Sequence, residues 1–457
     1  MTATLGRPSA VLPAPPAPPP APPAALPLAA PSVAPPPAPP VAPQVPLPPP
    51  IPLVRRVFKH PKLMHHNRLA ALVLLANAVV LLAGTMHPAD AALANFALAI
   101  LIRQQYVINL LFRLATAAPT SWPLKIRWTL AKVYHFGGLH IGGALAGSLW
   151  FLGFTASLTI SGGPGALLAV SYALVALLVL ITAAAVPRFR ARFHDRFERV
   201  HRFGGWTALG LFWAHTVLFV QAQGVTVLRA PSVWVLAVIT FSVALPWLRL
   251  RRVAVRIERP SPHVALARFD HGVTPFAGSS TAISRRPLLE WHSFANVPAP
   301  GESGFRLTIS RAGDWTGSFI DDAPRHVWVK GITTAGVANI ETLFTKVIYV
   351  ATGSGIGPVL PHLLAAQVPS RLVWVTRDPR ATYGDALVDE ILAVQPLATI
   401  WDTGKHGKPD MVAMAHNAYA EFGAEAVICI SNKRLTWQVV HGLERRGIPA
   451  YGAIWDS

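Results

Sequence analysis

Apolar and polar positions divide the chain into three textures. From residue 65 to about 250 long apolar stretches follow one another, then short runs alternate between apolar and polar. From Lys346 buried-type runs are separated by helix-like stretches. Residues 69–86 and 167–186 hold no charged residue and are long enough to cross a bilayer. Residues 91–111, 128–158, 203–220 and 233–247 extend these to six predicted spans; the second carries Arg103 and the third Lys132, His135 and His140. The alternation after Arg256 predicts β-strands. KVIYVATGSGIGPVLPHLLAA (346–366) predicts a buried strand, a glycine turn and a helix, and RLVWVTRDP and EAVICIS predict further strands, so the end of the chain reads as α/β with a parallel sheet. The boundaries that follow are a tail at 1–54, a helical domain at 65–250, a β-domain at 251–345 and an α/β domain at 346–457.

Composition adds to this picture in four ways. With 52% hydrophobic and 13% charged residues, a single water-soluble domain is a poor description. Residues 1–54 are Pro- and Ala-rich with Arg7 their one charge, which predicts a disordered extended tail without a packed core and without the pattern of a signal peptide. The net charge of +19 sits largely in short loops, including RFRARFHDRFERVHR between the fourth and fifth spans and RLRRVAVR after the sixth. That distribution reads as membrane topology with both termini cytoplasmic, in a plasma or inner membrane, and not as nucleic-acid binding. One cysteine, Cys429, excludes an intramolecular disulfide and any multi-cysteine metal site.

Histidines mark the apolar half. His201 and His215 are fourteen residues apart, which puts them near one helix face and ~21 Å apart at ~1.5 Å per residue. His140, or His135, pairs with His201 toward the cytoplasmic side, whereas nothing in the third span answers His215. Three readings stay open: one b-type haem on His140 and His201; no haem, with the histidines lining a cavity for an amphipathic or quinone-like acceptor; or histidines bonded between helices.

In the last third, GSGIGP (353–358) stands at a strand-to-helix turn, where glycines let a pyrophosphate approach the free N–H groups of a helix. It is preceded by EWHSFANVP (290–298), RLTISRAGDWTGSF (306–319) and HVWVKGITTAG (326–336), and followed by VTRDPRATYGDALVDEI, VICIS and AIWDS. In this order the motifs resemble the ferredoxin-reductase-like module of ferric reductases and NADPH oxidases. They are closer to fungal and bacterial transmembrane flavoproteins, including the membrane domain of fungal adenylate-forming reductases. The resemblance covers roughly residues 65–457.

The resemblance implies a multi-domain membrane protein: a six-helix transmembrane bundle, a β-barrel flavin domain and an α/β nucleotide-binding domain. It implies FAD flanked by His292 and Phe294, with the phosphate turn at Gly331, Thr333 and Thr334. It implies NADPH, or NADH, on Gly353, Ser354, Gly355 and Pro358, with Arg377 and Tyr383 on the adenosine ribose and its 2′-phosphate. Cys429 would face the nicotinamide and Trp455 would stack on the flavin. The sequence departs from the family pattern at Ser293, Ala295 and Ile430, where the family has proline, a hydroxyl residue and glycine, and in the altered turn GITTAG. The function implied is a membrane-embedded NAD(P)H-dependent flavin oxidoreductase feeding a membrane-associated small-molecule or quinone-like acceptor. The alternative is a non-catalytic membrane sensor or scaffold with a relic reductase domain.

Overall fold

A computed structural model describes residues 45–453 except 58, 61–62, 299–300 and 302. The tail to residue 44 and Trp455 lie outside the described residues. The end of the tail, expected to be disordered, is tied down: the N–H of Val45 donates to Asn417 Oδ1 (3.1 Å) and that of Ile51 to the Arg445 carbonyl (2.9 Å). In so proline-rich a stretch few N–H groups exist, and two of them are spent on these contacts.

In the helical half, five described helices are long and apolar enough to cross a membrane: His65–Ala83, Val133–Ile160, Gly165–Ala184, His194–Ala222 and Pro231–Leu248. The predicted span 91–111 is not one helix. It breaks into Pro88–Leu101 and Gln105–Thr116, bent by 75°, and counts as a sixth span only if the pair is taken together. Arg103 sits in the break, and Gln104 caps the second piece by accepting from the Tyr106 N–H (2.6 Å). A side-chain oxygen thus replaces the carbonyl that a continuous helix would supply.

Small residues set the helix spacing. A Cβ at Gly138 would lie 2.0 Å from the His66 carbonyl oxygen and one at Gly143 2.8 Å from that of Asn95, so the third span rests directly on the backbones of the helices beside it. Asn77 and Asn95 exchange side-chain hydrogen bonds (3.0 and 2.6 Å), and Trp150 Nε1 donates to Asn77 Oδ1 (2.8 Å). These polar groups satisfy one another inside an apolar bundle.

The next strands are antiparallel: β1 (Leu250–Ala254), β2 (Arg256–Ser261), β3 (Val264–Phe269), β4 (Ser279–Ser284), β5 (His292–Ala295), β6 (Phe305–Ser310), β7 (His326–Lys330) and β8 (Thr334–Ala335). They form two sheets, β1-β7-β4-β5 with β8 on β4, and β2-β3-β6, around a core that includes Ile283, Leu307, Phe319 and Val329. The expected barrel is not a closed ladder among the described residues. β5 reaches β6 only through the isolated bridge Val297–Arg306.

Five parallel strands follow: β9 (Val347–Thr352), β10 (Ser370–Thr376), β11 (Thr399–Asp402), β12 (Ala426–Ile430) and β13 (Ala450–Tyr451), in the order β11-β10-β9-β12-β13. The order reverses between β9 and β12, and apolar clusters cover both faces of the sheet. Buried polar contacts join this domain to the helical half. Arg127 donates to both Glu425 oxygens (2.7 and 3.1 Å) and to the Leu343 carbonyl (2.7 Å), and Lys132 pairs with Glu444.

Candidate functional site

The carboxyl ends of β9 and β12 meet at the reversal point, where ligands of open α/β sheets bind. After Thr352 the chain makes a single tight turn, Gly353–Gly355, and enters the helix Ile356–Ala365. Gly353 has φ +48°, and its carbonyl accepts from the indole of fully buried Trp374 (3.1 Å). Gly355 has a stricter requirement: a Cβ there would lie 2.0 Å from the Ile430 carbonyl oxygen. The turn is therefore pressed against β12, which leaves Ser354 exposed at the crest and Pro358 half-buried. Thr352 and Ser431, unflagged by any motif, are hydrogen-bonded through their hydroxyls at the ends of the two strands.

Of the residues assigned to the dinucleotide, Arg377 is the most available. Its side chain is 82% exposed just beyond β10, with its Nε 3.4 Å from Asp378. Tyr383 is instead buried beneath the turn, its ring 5.0 Å from that of Trp374, and burial raises its hydroxyl pKa. It supports the turn from below, because a phenol with 1% exposure offers no surface to a ribose. Cys429 is likewise enclosed, fully buried among Val350, Val373 and Val439. Burial pushes its thiol up to about 12. β12 alternates, so the face that holds Cys429 is the one covered by the helices Met411–Phe422 and Lys433–Glu444.

The flavin residues lie differently from what the resemblance implies. His292 pairs with Ile283 and Phe294 with Thr281 on β4, so both rings are on the core side of β5. There Trp315 stacks on His292 at 4.0 Å and on Phe294 at 6.1 Å. Burial lowers the pKa of His292, with Glu290 and Asp195 opposing the shift. The turn Gly331–Gly336 is also engaged. Asn109, on the helix Gln105–Thr116, donates to the Thr333 carbonyl and accepts from the Ala335 N–H (both 2.9 Å), and Ser280 donates to the Thr334 carbonyl (3.3 Å). Gly331 packs on the Arg249 carbonyl, where a Cβ would stand at 2.8 Å. Asn109 was detectable only as a polar residue inside a predicted span, and Trp315 carried no signal of its own.

The helical half encloses a cavity of about 730 Å³. His140, His201 and Arg202 line it toward the β-domain, where Arg202 donates to the Leu288 carbonyl (3.1 Å). Its other end holds His215 and two groups that the sequence reading passed over, His87 and Asp90, with Phe96, Phe151 and Phe212 between. The rings of His140 and His201 are 6.1 Å apart, and His140 Nδ1 lies 2.8 Å from the Ala99 carbonyl oxygen. His215 packs instead on Phe151 and Phe154 at 5.1 and 5.4 Å.

Comparison with known proteins adds three findings. Residues 337–457 match the family model described as adenylate-forming reductase 03009, C-terminal domain. The chain is 43% identical over 424 residues to adenylate-forming reductase 03009 of Coprinopsis cinerea, covering 89% of this chain and 41% of that protein. It is 44% identical over 376 residues to adenylate-forming reductase 06235 of the same fungus, covering 80% and 37%. The chain thus spans about two fifths of the length of the curated relatives it matches. Among solved structures, a ferredoxin NADP+ reductase from Neisseria gonorrhoeae with bound FAD and NADP aligns at a TM-score of 0.37 and 13% identity, over 45% of this chain and 98% of that one.

Proposed function

We propose that the chain is a membrane-embedded oxidoreductase that draws reducing equivalents from NADPH, or more weakly from NADH, and serves a small amphipathic, quinone-like acceptor in the cavity of the helical half. The observation that carries this reading is the turn at the β9–β12 reversal. Gly355 is pressed on Ile430, a helix N-terminus opens above it, and Arg377, paired with Asp378, stands exposed just beyond β10. The N–H groups at the start of Ile356–Ala365 suit a pyrophosphate, and the Arg377 fork suits a 2′-phosphate. The reductase names of the relatives support the same class of reaction.

FAD is the carrier that the resemblance implies between nicotinamide and membrane. The residues assigned to it do not fit: Trp315 covers His292 and Phe294, Asn109 occupies the Thr333 turn, and Ala295 lacks the hydroxyl. No step is derived through it. A b-type haem fits one observation better. It would be held by His140 and His201 and would supply one-electron transfer there, and a ligating histidine commonly bonds a carbonyl through its other nitrogen. The rings of His140 and His201 are 6.1 Å apart on the wall of the cavity, and His140 has that carbonyl.

A visible spectrum of the detergent-purified chain, before and after NADPH, tests the reading together with NADPH oxidation by ferricyanide. Turnover that falls in Arg377→Gln with NADPH, and less with NADH, is the expected result. No turnover with any acceptor, alongside retained NADPH affinity, would favour the sensor or scaffold reading, to which the enclosed Cys429 and the covered rings of β5 already lend support. A Soret band lost in His140→Ala and His201→Ala would assign haem.

A further inference from the structure

The break in the predicted span 91–111 leaves hydrogen-bond donors unmet. Helix Gln105–Thr116 starts there, at 75° to Pro88–Leu101. The first N–H groups of a helix have no carbonyl within it to bond, and the partial positive charge of that end favours an anion. In broken membrane helices such an end commonly points at an anionic group of a ligand.

Two side chains add donors at the same place. Gln104 is 8% exposed, and its Oε1 is held on the Tyr106 N–H. The other atom of that amide, Nε2, is thereby fixed beside the helix start, buried and with no hydrogen-bond partner, an arrangement that costs stability unless something accepts from it. Arg103, the residue before, is exposed, and its side chain makes no hydrogen bond, ion pair or ring contact with any described residue. The charged and titratable groups that act on Arg103, or on which it acts, are Arg190, His66, His140 and His201. An ionised side chain at membrane depth is costly, and it persists where it meets a partner or a pathway.

The break adjoins the large cavity. Ala99, one turn before Arg103, lines that cavity together with His140 and His201, and farther in its walls carry Phe96, Phe151 and Phe212. A volume of about 730 Å³ suits one ligand of drug size. One guanidinium, one amide NH2 and one helix end balance a single negative charge better than a dianion, and the planar fork matches two oxygens of one head group.

We propose that the break binds the oxyanion head of a singly charged amphiphile, a carboxylate or a phosphodiester, whose apolar body lies in the cavity. Arg103 and Gln104 Nε2 hold the head. The inference rests on the reading of the cavity as a small-molecule site, and it names the polar end of the molecule bound there.

The test is calorimetric titration of the full chain in non-ionic detergent with dodecanoate at about pH 8, where a carboxyl is ionised, with dodecanol as the uncharged control. Saturable dodecanoate binding is expected, weaker by about tenfold or more for dodecanol and in Arg103→Gln. Arg103→Lys keeps the charge without the fork and should fall between. The Arg103 side chain has no contact to lose, so an unchanged melting temperature checks the fold. Gln104→Glu keeps an oxygen for the Tyr106 N–H but turns the Nε2 donor into an acceptor, and should abolish binding. In nanodiscs, suppression of dodecanoate binding by phosphatidylglycerol would assign the site to a lipid head group, and binding that persists would assign it to a free acid. No saturable binding, equal binding of dodecanol, or binding unchanged in Arg103→Gln would overturn the proposal. No NADPH is present in the titration, so binding without NADPH-driven turnover would count against the oxidoreductase reading alone, and turnover without binding against this proposal alone.

Discussion

Glu425→Gln probes the joint that holds the α/β domain on the helical half. Arg127 has a side chain only 5% exposed and spends its donors on both Glu425 oxygens and on the carbonyls of Leu343 and Trp122. Glu425 also accepts from the Thr345 N–H (2.8 Å). Losing one partner of a buried pair costs ~3–5 kcal/mol, and the 22% exposure of Glu425 puts this pair at about 3 kcal/mol. In guanidinium chloride, with a slope of ~4 kcal/mol per molar, that is a midpoint shift of about 0.5–1 M, followed by tryptophan fluorescence. The hydrogen bond from Arg127 is the main cause of the lowered Glu425 pKa, with burial opposing. A carboxylate lowered in the folded state contributes stability that is present above its unfolded pKa of about 4.3 and is lost as pH falls through the folded value. The gap between wild type and Glu425→Gln should therefore be full at neutral pH and close in acid. The double variant Arg127→Met/Glu425→Gln should regain much of the loss, since no buried charge is left alone. An unchanged midpoint, or a gap that persists at about pH 2, would refute the reasoning.

Three more outcomes follow from the geometry. Gly355→Ala should destabilise the α/β domain by about 3 kcal/mol and weaken NADPH binding, because its Cβ meets the Ile430 carbonyl at 2.0 Å. Gly153→Ala meets nothing within 4 Å and serves as the control; equal melting temperatures for the two variants would contradict the close approach. Cys429 should resist maleimide until the chain unfolds, and Cys429→Ala should keep NADPH oxidation, whereas rapid native labelling would show that the thiol is not enclosed. Lys330 lies 4.6 Å from the Trp291 ring centre, and burial, then Arg202, lower its pKa to about 8, with Glu198 opposing. The unfolded chain holds that proton up to about 10.4, so stability should rise with pH between about 8 and 10. Lys330→Met should raise the melting temperature at pH 7 and by less at pH 9.5; a pH-independent difference would exclude this titration.

Some of this protein is legible from local sequence alone. Apolar composition over twenty residues marks a helix able to cross a bilayer whatever surrounds it, and a buried run ending in GSGIGP marks a strand, a turn and a helix because glycine tolerance is a local property. The availability of Arg377 followed from its place in a loop after a strand. Other features depended on partners distant in the chain. Whether His292 and Phe294 face a ligand or the core turns on which residue of β5 lies opposite Ile283, and a shift of one position reverses every side chain. The break at Arg103 depends on a cap from Gln104, and the engagement of the Thr333 turn on Asn109, more than two hundred residues earlier. Sequence periodicity records which residues avoid water. It does not record which neighbour excludes the water, and that is why Cys429 and Tyr383 became interior groups only once the sheets were assembled.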